Sequence, residues 1–435
     1  MSATYPFSTP HHPAWLLLWL PLLVGLQGVP HTGGGRTLAL LAGIIHVVAL
    51  LRGSPVSLPL ARDRFITLTF WMLLVWLVCQ TAFIAPVPVA ALKALADDWG
   101  KLLLMALLGL GLAKVVRKPV WLYVGLFAGA FLHVLSVLGY QADALFSGRG
   151  VVFQGSLLSE YPLASSFCVS AIIWLLADAM ARYWRKLPLF PWSLRVSLVL
   201  LGMALLAEAL LGTKSGHVML AAVGLTAALA LLTRPGGSHL RRLTMGVVLL
   251  AMLSGVMLQL SGDRWSGLAQ SLRAAQAEAI SLQVFVTDDT AIPAGTNHSF
   301  YMRALRGWQG IEGAIEHPLG IGYGPDVYKR YLKTRFGLDN GIDSSNSGLI
   351  DFTLAVGTPG LVLLLLLCAG LIRRGWQAFT KDQVAGLVLV MLVIHQLGRY
   401  ALDGTIGGSR LTGPVLAIAT LWGICRQYLG GPKTS

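Results

Sequence analysis

The sequence predicts an all-α, polytopic membrane protein. Three observations predict it. Hydrophobic residues fill 55% of the 435 positions and charged residues only 12%. The mean hydropathy is +0.69. Apolar runs close to the ~20 residues that cross a bilayer core recur along most of the chain. The formal charge of +14 would suggest nucleic acid in a soluble protein. Here it fits the cationic loops of a membrane protein and its lipid headgroups, and nucleic acid is not an expected partner.

The runs lie at 14–29, 37–51, 65–86, 101–115, 119–139, 162–181, 194–212, 215–233, 242–260, 347–372, 382–402 and 409–428, about twelve transmembrane helices in all. The N-terminus lacks a basic n-region, so the first run reads as a retained span. Loops on one side carry clusters such as Arg52, Arg62 and Arg64, then Lys114, Arg117 and Lys118, then Arg182, Arg185 and Lys186, then Arg373, Arg374 and Lys381. Short loops on the other side carry scattered cations: Arg36, Lys93, Lys101, Arg149, Lys214, Arg399 and Arg410. The positive-inside rule then puts both termini in the cytoplasm and the long 261–346 segment outside. The organisation is helices 1–9 over 1–260, an external loop over 261–346, and helices 10–12 over 347–435. Cys79, Cys168, Cys368 and Cys425 all sit in apolar runs and read as small hydrophobic residues.

The long loop is where chemistry is expected. Residues 265–283, 299–316 and 326–336 read as helices, with 284–298 a loop. Arg303 and Arg306 lie one turn apart on the second of these. Either they form a solvated face, or they clamp an anion with the planar guanidinium fork. Lys329, Arg330, Lys333 and Arg335 extend the basic character along the third. Lys214 sits in a very short external turn, T-K-S-G, either snorkelling or held against a lipid phosphate. Glu208, in the apolar run just before it, has Lys214 as its nearest charge in sequence. His395, Gln396, Arg399, Tyr400 and Asp403 form a polar end to an apolar run, as a cavity lining or a helix–helix hydrogen-bond set. Gly320, Gly322 and Gly324 do not join a strand to a helix, so a nucleotide loop is rejected in favour of a tight turn. His298 and the nearby acids show no metal-ligand spacing, and no cofactor is expected.

At these residues the chain resembles the O-antigen ligase and polymerase superfamily of bacterial inner-membrane enzymes. T-K-S-G at 213–216 resembles the family's basic external turn, with Lys214 as the essential cation. Arg303 followed by H-P-L-G-I-G-Y-G from His317 resembles the family's arginine and its H-P-L-x-G-x-G signature. N-S-G-L-I-D-F-T-L-A-V-G-T-P-G-L from Asn346 resembles a third family motif, except that Ser345 stands where the family carries histidine. The resemblance covers roughly 200–400. It implies transfer of a glycan from undecaprenyl diphosphate to an acceptor hydroxyl, without metal and with inversion, at the periplasmic face. The acceptor would be lipid A-core in a ligase, or a second lipid-linked repeat in a polymerase. Arg303 and Lys214 would carry the leaving diphosphate, supported by Arg306. Asp343 or His298 is nominated as base, with Asp351 and His317 as alternatives. Ser345, Asn346, His317, Lys329 and Arg330 would line the substrate, with Trp308, Tyr323 and Tyr328 packing on sugars. A transporter or flippase for a lipid-linked anionic solute also needs cations facing an external cavity. Against it, the chain lacks an inverted repeat.

Overall fold

The computed structural model describes residues 13–27, 29–51, 63–116, 119–184, 186–233, 267–281, 295–337, 342–403 and 411–430, together with Thr244. The described residues form helices and connecting segments, with no strand among them. In order these are α1 (Pro13–Gly25), α2 (Gly33–Leu51), α3 (Arg64–Cys79), α4 (Pro88–Leu95), α5 (Lys101–Val115), α6 (Pro119–Phe146), α7 (Tyr161–Tyr183) and α8 (Leu194–Leu211). Then follow α9 (Lys214–Thr233), α10 (Leu268–Ser281), α11 (His298–Glu316), α12 (Val327–Phe336), α13 (Gly348–Thr380), α14 (Val384–Leu402) and α15 (Thr412–Gly430).

Among the described residues, seven helices are long and apolar enough to cross a membrane: α3 with its extension to Ile84, α6, α7, α8, α9, α13 and α14. This is an all-α membrane protein with multiple candidate spans. The apolar runs assigned to α1, α2, α5 and α15 are also helical. The predicted span 242–260 lies outside the described residues, apart from Thr244.

Helix α7 is the hub. It is buried along nearly its whole length and packs on α6, α8, α9 and α14. A helix that is apolar all round belongs in the interior. By contrast α3 exposes Phe65, Leu68, Trp71 and Val75, the pattern of a lipid-facing helix. Helices α10, α11 and α12 gather at one end of the bundle, called here the loop-bearing end. The other end carries buried or paired cations: Arg182 on Asp178 at 2.8 Å and Arg374 on Asp63 at 2.7 Å.

Two features depart from the sequence expectation. Residues 88–100, expected as a plain connection, form α4 and a wide turn leading directly into α5. The expected tight turn at Gly320–Gly324 is a buried clasp. Helix α13 breaks at Gly357 (φ 72°, ψ 176°), just before Pro359, which has no N–H to give. The break frees backbone groups, and the 318–322 segment takes them up. Ile321 N donates to Leu354 O at 2.9 Å, and Thr358 N donates to Pro318 O at 2.8 Å. Two side chains of α3 and its extension finish the joint: Trp76 Nε1 donates to Val356 O (2.7 Å) and Gln80 Nε2 to Leu319 O (2.5 Å). Irregular backbone at membrane depth needs such protein partners. A Cβ on Gly322 (φ 90°) would lie 2.4 Å from Ala85 Cα, so glycine is required there. Beyond the break, Thr358–Thr380 is alone long enough for a ~30 Å hydrocarbon core. The portion Gly348–Val356 packs on the loop helices, with Ile350 against Gly310 of α11.

Candidate functional site

The site is built where α9, α11, α13 and α14 meet at the loop-bearing end. Helix α8 stops at Gly212 in the left-handed conformation, and α9 begins at Lys214. Below that turn, Ser165 Oγ donates to Glu208 Oε1 at 2.7 Å and also pairs with Thr213 Oγ1 at 2.7 Å. The buried Glu208 thus takes its hydrogen bonds from hydroxyls, and Lys214 is not its hydrogen-bond donor. Gly216 leaves room for this knot, since a Cβ there would lie 1.9 Å from Glu208 Oε1. The knot anchors the turn and directs Lys214 toward α11.

Lys214 Nζ reaches Asn297 Oδ1 at 3.4 Å and lies 3.4 Å from the centre of the Phe300 ring. Such a cation–π contact contributes on the order of 1 kcal/mol, more when desolvated. Asn297 caps α11 by accepting from Phe300 N, as a residue of its type commonly does before a helix. One turn on, Arg303 Nη1 donates to Leu402 O at the C-terminal end of α14 (3.2 Å). Asp403 follows, and it accepts from Ser215 Oγ at 3.5 Å beside Lys214. Lys214 thus meets the first turn of α11, while its neighbour Ser215 and, from α11, Arg303 both reach the end of α14. Arg306, a further turn along, has a buried Nε without a hydrogen-bond partner.

The third wall is the start of α13. Asp351 accepts from Ser344 Oγ at 2.7 Å and from Ser345 N at 3.0 Å. This fixes Asn346 in a left-handed conformation (φ 64°), with Asn346 N donating to Ser344 Oγ. Ser345 is buried and bonds to the Ser347 backbone. Ser347 caps α13 and donates to Tyr400 O on α14 at 3.5 Å. Below Tyr400 lies an apolar cavity of about 210 Å³ among α3, α5, α13, α14 and α15, with Gln396 and Tyr400 as polar lining residues. The polar end of α14 serves both suggested purposes. Gln396 and Tyr400 line the cavity, while His395 Nε2 sits 3.2 Å from Ser166 Oγ and bonds α14 to α7.

Several sequence nominations change meaning. Tyr328 is fully buried and donates to Arg306 O and Gln309 Oε1. Tyr323 is buried and donates to Asp98 Oδ2 at 2.9 Å. Both are packing residues, without an open ring face for a sugar. Burial first of all pushes both phenols above their ordinary range, so both stay protonated donors. Arg330 Nη2 donates to Gly322 O at 2.9 Å, clamping the clasp, and its pKa is lowered by burial. His317 is exposed, with its ring edge-on to Tyr331. Lys329 is half-buried on α12. Asp343 is exposed and makes no hydrogen bond or ion pair among the described residues, so the carboxylate organised here is Asp351. His298 is exposed at the first residue of α11, next to Asn297.

Asn297 and Phe300 are not nominated by the sequence, whereas Asp403 is, as part of the polar end of its apolar run. The capping preference of asparagine is the available signal for Asn297. Nothing local marks Phe300, because its role depends on contact with α9.

No family model matches this chain, and no curated protein matches it. The reading of the site therefore rests on its geometry and on the motifs above.

Proposed function

We propose that this protein transfers a glycan from a polyprenyl diphosphate to an acceptor hydroxyl at the loop-bearing end, which faces the periplasm across a bacterial inner membrane. The observation that carries the reading is the seam where α9, α11 and α14 meet, with Lys214 on the first turn of α11 and Arg303 on the end of α14. Tyr400, bonded to the α13 cap there, joins this basic place to the apolar cavity. A lipid-linked diphosphate needs both parts, cations for the head and an apolar wall for the tail.

In the reaction the acceptor oxygen forms a bond to the anomeric carbon, and the bond from that carbon to the diphosphate oxygen breaks. Negative charge collects on the departing diphosphate. Preorganised cations act where that charge develops, and their value is greatest where water is scarce. Lys214 and Arg303 take this role, with Arg306 behind them. The acceptor proton passes to His298, the titratable side chain beside Asn297. Asp351 is a positioning residue that holds the Ser344–Asn346 turn. The sugar–diphosphate bond is already activated, so no cofactor is needed to drive the transfer. The proposal includes about twelve spans, with both termini cytoplasmic. The favoured acceptor is lipid A-core, as in lipopolysaccharide ligation.

The test uses purified protein with undecaprenyl-diphosphate-linked glycan, EDTA and two acceptors, lipid A-core and a second lipid-linked repeat. Product on the core, lost in both Lys214→Ala and Arg303→Ala, is the expected result. Product only on the lipid-linked repeat would make the protein a polymerase. Donor binding without cleavage of the diphosphate linkage would overturn the enzymatic reading in favour of transport.

A further inference from the structure

Helix α11 buries one face and leaves another apolar face uncovered. Tyr301, Leu305, Gln309 and Gly313 face the protein. Trp308, Ile311 and Ile315 recur at intervals of three and four on a different side, and all are exposed, Ile315 at 73%. Leu319 continues the stripe past the helix end at 57%. A helix surrounded by water would place polar residues there.

The stripe continues onto a surface already facing lipid. Leu68 and Val75 mark the exposed side of the candidate span α3. That side runs up to Phe83 (84% exposed) and, on α4, Val89 (80%). The clasp then bridges to α11. Gly322 packs on Ala85 between these two residues, and Leu319 lies three residues before Gly322. The apolar path from α3 to α11 thus follows one connected stretch of contacts.

We infer that α11 is an interfacial helix, with its Trp308–Ile311–Ile315–Leu319 stripe embedded in the membrane leaflet on the loop-bearing side. The partner of this surface is the boundary between lipid headgroups and acyl chains. A helix lying in that boundary buries its apolar face by roughly 5–10 Å, and tryptophan favours this level. Arg303 and Arg306 are on the flank of the same helix, between its buried and uncovered faces. They would then stand at the depth of the lipid phosphates. A phosphate-bearing lipid could reach them by lateral diffusion, without leaving the membrane. The inference holds whether or not the transfer reaction does.

The test is site-directed spin labelling of the full-length protein in vesicles of phosphatidylethanolamine and phosphatidylglycerol. Cys79, Cys168, Cys368 and Cys425 are first replaced by alanine, and Ile315→Cys, Val89→Cys and Asp343→Cys are labelled one at a time. Greater collision with oxygen than with a water-soluble nickel chelate is expected at 315 and 89, with the reverse at the exposed 343. Preferential collision with the nickel chelate at 315 would place the stripe in water and overturn the inference. A label at 315 reached by neither collider would place protein, rather than lipid, over the stripe and overturn it as well. If the cysteine-free background fails to fold, Ile315→Cys in the native background, followed by its quenching with brominated lipids through an attached bimane, reads the same contact. Buried Cys168 and Cys425 are shielded from the label there, and the signal of half-buried Cys79 and Cys368, read on the protein without the added cysteine, is subtracted.

Discussion

Helices α11 and α12 both carry aromatic side chains and arginines, two cations on the 19-residue α11 and four on the 10-residue α12, yet the structure uses them differently. On α11, Arg303 meets the end of α14 and the first turn meets Lys214. On α12, Arg330 clamps the Gly322 carbonyl and Arg335 pairs with Glu316 at 3.1 Å. The denser basic cluster is the structural one. Two of its four cations, Arg330 and Arg335, hold other parts of the loop helices together, whereas Arg303 ties α11 to α14. In the proposed reading, contact with the α14 end beside the cavity under Tyr400 selects the cations, and charge density does not.

The sharpest test of this contrast is turnover. Lys214→Ala and Arg303→Ala are each expected to lower glycan transfer by on the order of 10²–10³, the scale of one preorganised donor. Lys333→Ala on α12 should leave transfer near the wild-type rate in the same assay. Equal losses on the two helices would erase the distinction.

The next effects are on stability. Gly322→Ala forces a side chain into a positive-φ position and against Ala85, at a cost on the order of 1–3 kcal/mol. It should appear as a lower thermal unfolding midpoint in detergent. Arg330→Ala removes the charged donor to Gly322 O and should cost about 1.5 kcal/mol. Its signature is a lowered midpoint with catalytic turnover largely retained in the folded fraction. Turnover falling as far as in Arg303→Ala would move Arg330 into the site. The smallest change belongs to Arg335→Ala, which breaks an exposed ion pair with Glu316 and should shift stability by less than about 1 kcal/mol.

Much of the plan was legible before the structure. Apolar runs specify helices because each must satisfy its backbone internally in lipid. The loop helices were visible through their periodicity and, at the end of the second, through Pro318. The importance of 317–324 and 346–360 was legible as motif, but their union was not. Positive-φ glycines in two distant segments do not reveal that Ile321 will bond Leu354.

The sequence by itself determined the helical membrane class, the position of most apolar helices and the basic residues available at the loop-bearing end. Local backbone chemistry and hydropathy suffice for those. Only the tertiary structure decided that Asp351, rather than Asp343, is the organised carboxylate, and that Tyr323 and Tyr328 are interior props. It also decided that Lys214 faces α11 while Glu208 bonds to hydroxyls. Asp351 depends on how the Ser344–Asn346 turn folds back on α13, and the others on which groups are brought together across 19 residues or more. Hydrogen bonding at that range is fixed by packing, which periodicity and composition do not encode.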